Sequence, residues 1–232
     1  MPGATELSAP ARNAWQQELL RRVRSRFLTK FIGISGFMWL FFIGYFQILR
    51  HPVGPVTEMP LTLLDQWVSF QPAALWLYVS LWLYVSLPAG LQPTMRQLLA
   101  YGLWVGALCL AGLACFYAFP TAVPRPLLAV DVVLPPGFAL LQGVDAAGNA
   151  CPSLHVATAL FSACWLDRLL RHLHAPWPPR ALNGVWVLLI IYSTLAIKQH
   201  VALDVAGGVL LALLFVWPSM RWFPVEQAHR AR

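Results

Sequence analysis

Six apolar stretches recur along this chain, at residues 31–49, 73–91, 98–119, 152–170, 182–199 and 203–218. A helix of about 20 mostly apolar residues is what it takes to cross a bilayer core. Runs this long and continuous carry no strand-like alternation, so they predict helices. The expected fold is all-α, a polytopic membrane helix bundle with six transmembrane helices. Composition agrees, because charged residues make up 11% of the chain against about 25% in a soluble domain. Eleven tryptophans suit the bilayer interface.

The net charge is +7. The basic residues flank the apolar stretches, which reads as a topology signal and not as a nucleic-acid surface. With six spans both termini share one side. That side holds Arg12, Arg21, Arg22, Arg24, Arg26, Lys30, Arg96, Arg168, Arg171, Arg180, Arg221, Arg230 and Arg232, thirteen of the sixteen basic residues. It is therefore expected to be cytoplasmic, and only Arg50, Arg125 and Lys198 fall on the outer side. Residues 1–30 read as a basic tail with an amphipathic surface helix around 13–28, residues 31–218 as the catalytic membrane domain, and residues 219–232 as a cytoplasmic tail. The first apolar run follows a basic stretch and is long enough to span, so it reads as an anchor that stays.

The connections carry fewer signals. Residues 50–72 form an outer loop with a short interfacial helix expected from Asp65 to Phe70, and residues 120–151 form a Pro- and Gly-rich outer loop of the kind that shapes a site. Leu75–Ser80 is duplicated as Leu81–Ser86, which reads as lipid-facing or packing surface without chemistry. Gly207-Gly208 permits close helix packing. Cys109, Cys115, Cys151 and Cys164 show neither metal-ligand spacing nor a disulfide framework and read as small buried hydrophobes.

Two segments concentrate chemistry: Cys151-Pro152-Ser153-Leu154-His155 and Lys198-Gln199-His200-Val201-Ala202-Leu203-Asp204. Ionisable groups at membrane depth are costly and usually functional. Asp204 follows His200 by four residues, one helical turn, so its carboxylate can fix the imidazole tautomer and leave the other nitrogen as base or nucleophile. His155 comes from another span at the same outer depth and suits a general acid. Arg125 and Lys198 would neutralise an anion between them. Pro152 suits a first helical turn, and the amides of Ser153, Leu154 and His155 would then face an anion at a helix N-terminus. Together these residues describe phosphoryl transfer through a phosphohistidine. Taken singly, each has a plainer reading: a solvated histidine, a snorkelling lysine, an arginine on a headgroup. Two histidines and a carboxylate also form a metal-ligand set, but the neighbouring Arg and Lys would repel a cation. The site is expected to hold no metal.

Pro152-Ser153-Leu154-His155 resembles the second signature of the type 2 phosphatidic acid phosphatase superfamily, usually Pro-Ser-Gly-His. Ser193, His200 and Asp204 match its third signature in order and spacing. The resemblance covers roughly residues 55–217. It implies a nucleophilic His200, an orienting Asp204, a proton-donating His155, a phosphate held with help from Ser153, no cofactor, and a lipid phosphate or phospholipid as substrate. This chain departs from the pattern at Thr194, where arginine is usual, at Ala118, where lysine is usual, and at Leu154. The Arg125-Pro126 pair of the first signature is kept. Pro-Ser-Leu-His, the Ser-Thr pair and the Phe119–Arg125 loop look more like the branch containing inositol phosphorylceramide synthases, which pass a phospho-headgroup to a lipid alcohol. A lipid phosphatase is the expected activity, a headgroup transferase the alternative, and an inactive lipid-binding scaffold the alternative of another class.

Overall fold

The computed structural model describes residues 14–124 and 148–222. An amphipathic helix α1 (Ala14–Arg24) precedes the long helix α2 (Phe27–Arg50). A two-residue strand β1 (Thr57–Glu58) and a short helix α3 (Leu63–Trp67) lead to a 3-10 turn at Pro72–Ala74. Three consecutive short helices follow: α4 (Leu75–Val79), α5 (Leu81–Tyr84) and α6 (Ser86–Gly90). Next come α7 (Met95–Ala118), β2 (Thr121–Ala122), α8 (Leu154–His172), α9 (Trp177–Ala196) and α10 (Ala202–Trp222).

The chain thus folds as an all-α polytopic membrane bundle. Among the described residues, α2, the stretch Pro72–Gly90, α7, α9 and α10 are long and apolar enough to cross a membrane. The remaining expected span, α8, is less apolar and carries Asp167, Arg168 and Arg171 near its C-terminal end. Its position explains the difference. Eleven of its nineteen residues are buried, against two of twenty-four in α2, so α8 is the central helix and needs no continuous lipid-facing surface. It nevertheless runs the depth of the bundle. Ser153 N donates to Asp204 O (3.0 Å) beside one end, and Arg168 Nη1 donates to Met220 O (2.9 Å) near the other, which sets α8 parallel to α10.

Other contacts fix the remaining directions. Gly106 faces Phe37 and Gly44 faces Leu113, so α2 and α7 are parallel. Tyr101 Oη lies 3.4 Å from Ser162 Oγ, and Gly112 faces Leu154, so α7 and α8 are antiparallel. Leu108, Phe116, Phe161, Trp165 and Ala212 fill the core between α7, α8 and α10. The alternation places His155, Lys198, His200 and Asp204 at one end. The basic residues at the starts of α2 and α7 and the ends of α8 and α10 lie at the other. There Lys30 is buried and donates to the carbonyls of Arg22 (2.6 Å) and Gly90 (2.7 Å), tying α1 and α2 to α6.

Local details depart from expectation at two places. The short helix expected within residues 50–72 is Leu63–Trp67, started by Asp65 itself: Thr62 N and Oγ1 both donate to its Oδ2, at 2.7 and 2.8 Å. The duplicated repeat is helical but interrupted, with Ser80 Oγ and Ser86 Oγ each bonding the carbonyl three residues back, at Leu77 and Leu83. At 100° per residue a six-residue repeat turns its second copy to another face. Tyr84 donates to Asn183 Oδ1 (2.7 Å) inside the core, whereas Tyr78 reaches His155.

Candidate active site

Ser153 caps α8, its Oγ accepting from Val156 N (3.3 Å), and this places His155 in the first turn. His200 sits on the tight turn between α9 and α10. That turn is closed by Gln199 N and His200 N, both donating to Thr194 O at 3.1 Å. Lys198 takes a left-handed conformation within it (φ 59°), uncommon for a residue with a β-carbon. Asp204 lies in the first turn of α10 and accepts from Val201 N at Oδ2 (2.9 Å).

These turns bring the three residues together. His200 Nε2 lies 3.5 Å from His155 Nδ1, and His200 Nδ1 lies 3.5 Å from Asp204 Oδ2. The first is at the outer limit for a hydrogen bond and the second falls short of one, a looseness common to catalytic groups before substrate arrives. His200 is 7% exposed and Asp204 fully buried. Three buried polar atoms in this cluster have no hydrogen-bond partner: His155 Nε2, His200 Nδ1 and Asp204 Oδ1. Unsatisfied buried groups are rare enough to mark a site. Tyr78 stacks on His155 at 4.4 Å between centroids and places its Oη 3.3 Å from Nδ1. Trp82 meets the same ring edge-on at 5.9 Å. Through Tyr78 the repeat, read as surface without chemistry, reaches the histidine pair.

The histidine pair opens onto a cavity of about 840 Å³. Its wall is apolar and aromatic, drawn from Phe37, Phe41 and Tyr45 of α2, Trp82 of α5 and Phe116 of α7. It continues away from the histidines as far as Gly33 and Met95. From Gly33 to Tyr45 the α2 wall is about 18 Å long at 1.5 Å per residue.

The other expected residues fall at varied distances from the pair. Leu154 and Lys198 line the cavity with the histidines. Ser153 and Ser193 are fully buried, and Ser193 Oγ donates to Ile190 O (2.6 Å) in its own helix. Ser153 N is already bonded to Asp204 O, because α8 and α10 start side by side. Of the three amides expected to face an anion, those of Leu154 and His155 therefore remain. Lys198 Nζ donates to the carbonyls of Asp65 (2.9 Å) and Val68. Thr194 is buried and turns its Oγ1 to Ile191 O (2.8 Å). Leu154 is accommodated opposite Gly112, where an added β-carbon would stand 2.4 Å from its Cδ2. Arg125 lies outside the described residues.

Sequence reasoning passed over Tyr78 and Asp65. Thr62 followed three residues later by an acid is a capping pattern that marks Asp65. For Tyr78 no such signal exists, because its role depends on which face of α4 meets α8.

Residues 55–217 match the family model of the PAP2 superfamily. The chain belongs to that superfamily. Its members are phosphoesterases or phosphotransferases, and that general class extends to this chain. The matched region contains both histidines, Asp204, Asp65 and Tyr78, and it leaves out α1 and α2. No curated relative and no solved structure matches the chain.

Proposed function

We propose that this protein is an integral-membrane lipid phosphatase that works through a phosphohistidine on His200. One observation carries the reading: His200 Nε2 faces His155 Nδ1 across 3.5 Å, with Asp204 behind the other imidazole nitrogen, where the histidines open onto an apolar cavity. In this reading Asp204 holds the proton on His200 Nδ1, so Nε2 carries the lone pair. Nε2 attacks phosphorus, and the bond from phosphorus to the lipid oxygen breaks. The leaving oxygen takes a proton from His155. Water then attacks the phosphohistidine, gives its proton back to His155, and releases phosphate as the N–P bond breaks. The two facing nitrogens are too close for phosphorus to sit between them, so a substrate phosphate must part the pair. The amides of Leu154 and His155, together with Arg125, supply positive potential for the anion.

The cavity receives the apolar chain of the substrate, and the chemistry needs no metal. Positive-inside topology puts the histidine end on the periplasmic or lumenal face and both termini in the cytoplasm, with residues 31–218 as the catalytic membrane domain. A transferase of the inositol phosphorylceramide synthase kind is the second reading. It is favoured by the apolar wall that continues up to the histidines, where a lipid alcohol could take the place of water. The test is release of free phosphate from phosphatidic acid in detergent micelles containing chelator. His200→Ala should abolish release. Formation of a new phospholipid on adding lipid alcohols would favour the transferase, and unchanged turnover in His200→Ala would reject both.

A further inference from the structure

Asp65 is one of the few acids in the described chain, and it is buried at 8% exposure on a five-residue helix. Its carboxylate is fully committed. Oδ2 takes the two Thr62 donors, and Oδ1 accepts from Ala202 N at 2.7 Å, across 137 residues of sequence. Its carbonyl accepts from Lys198 Nζ at 2.9 Å, and Val68 O takes a second bond from the same ammonium. The turn that carries His200 is therefore tied to the Thr62–Val68 segment on both sides, at Lys198 before the histidine and at Ala202 after it. A carboxylate beside the start of α10 also complements the positive end of that helix. Asp204 Oδ2 occupies the neighbouring amide of Val201, so two carboxylates take adjacent amides at one helix start.

We infer that Asp65 is a positioning residue for His200: it fixes the Lys198–Ala202 turn so that Nε2 stays aimed at His155. The left-handed Lys198 (φ 59°) fits this picture, since a residue with a β-carbon stays in that conformation only where surrounding contacts hold it. The inference rests on the phosphohistidine reading above and gives its nucleophile a support outside the two histidine segments. Asp65 touches no reacting atom: its carboxylate acts through the Ala202 amide, and its carbonyl holds the Lys198 ammonium.

The test uses the full chain in detergent, with phosphatidic acid and a polyprenyl diphosphate as probes, and compares Asp65→Ala, Asp65→Asn and Thr62→Val. A misplacement of about 1 Å costs about 100-fold in rate. Asp65→Ala should therefore lower kcat about 100-fold with KM changed far less. Asp65→Asn keeps an oxygen for Ala202 N and should recover most of that loss. Thr62→Val removes only the hydroxyl half of the cap and should lower thermal stability while sparing kcat. If Asp65→Ala keeps kcat within about twofold of the starting protein, or if the asparagine variant is as slow as the alanine one, Asp65 does not position His200. Should the unsubstituted protein turn over neither probe, the phosphatase reading fails on its own, and ¹⁵N-histidine NMR decides the role of Asp65. The inference expects the His200 ring signals to move in Asp65→Ala and to stay in place in Asp65→Asn. Unmoved signals in both variants would overturn it.

Discussion

Gly208 in α10 is the position where the smallest chemical change should do most harm. A β-carbon there would stand 2.5 Å from Ser153 O and 3.0 Å from Val156 Cβ. The first neighbour is backbone and cannot rotate away. Ordinary contact needs about 1 Å more, so in Gly208→Ala α8 and α10 must part by roughly that amount at their starts. The bond from Ser153 N to Asp204 O, 3.0 Å in this structure, would stretch past hydrogen-bond range. Overpacking costs about 1–3 kcal/mol and the lost buried bond about 1 kcal/mol more. Function should suffer further, because Ser153 starts the helix that holds His155 and Asp204 backs His200. A displacement near 1 Å between them lowers turnover by about 100-fold. Phosphate release and thermal unfolding in detergent measure the two effects. Gly184→Ala is the control: nothing lies within 4 Å of its β-carbon, and alanine is the better helix former by up to about 1 kcal/mol. Gly207→Ala should fall between them, since its nearest neighbour is the Cys151 sulfur at 3.0 Å. If Gly208→Ala matched the Gly184→Ala control in both rate and unfolding temperature, the close approach of α8 and α10 would not be what sets the site.

Three further outcomes follow from the same geometry. Asp204→Asn keeps the cap acceptor for Val201 N but presents no charge to His200, and it should lower kcat by roughly 10²–10⁴, with fold retained by circular dichroism. Tyr78→Phe keeps the stack on His155 and loses only the hydroxyl contact, so its kcat should fall less than about tenfold, the worth of one net hydrogen bond; a loss as large as that of Asp204→Asn would give Tyr78 a direct part in proton transfer. In α1, the Arg21 guanidinium, foremost among its causes, and Arg22 hold the Glu18 carboxyl down at about 2 from an ordinary 4.5. Both partners lie within α1, so the depressed carboxyl stabilises the helix itself above its unfolded pKa: α1 should be intact from neutral pH to about 4.5 and fray as pH falls toward 2. A spin label at Ala14 reads this directly, and Glu18→Gln should flatten the dependence.

The bundle was largely legible because lipid imposes a length and composition on each crossing. The stretches 31–49, 98–119, 182–199 and 203–218 correspond to α2, α7, α9 and α10 within a few residues at most ends. The central helix α8 was legible through its motif and not through its hydropathy, since burial against protein relaxes the demand for apolar residues. His155, His200 and Asp204 could be paired from spacing and topology alone. Lys198 was expected to neutralise the anion, but its ammonium bonds the carbonyls of Asp65 and Val68, because a long side chain on the turn between α9 and α10 reaches either the cavity or a neighbouring segment and only tertiary packing decides. Tyr78 and Asp65 escaped for the same reason: their partners are 77 and 137 residues away, beyond any local pattern.

The central claim is that His200 carries the phosphoryl group. Rapid acid-free quenching during turnover of phosphatidic acid, followed by peptide mass spectrometry at alkaline pH, tests it most directly, because phosphohistidine survives base. The account predicts a phosphate adduct on the peptide containing His200, enriched in His155→Ala where release is slowed, and absent from His200→Ala. An adduct on any other residue, or full turnover with none on His200, would contradict it.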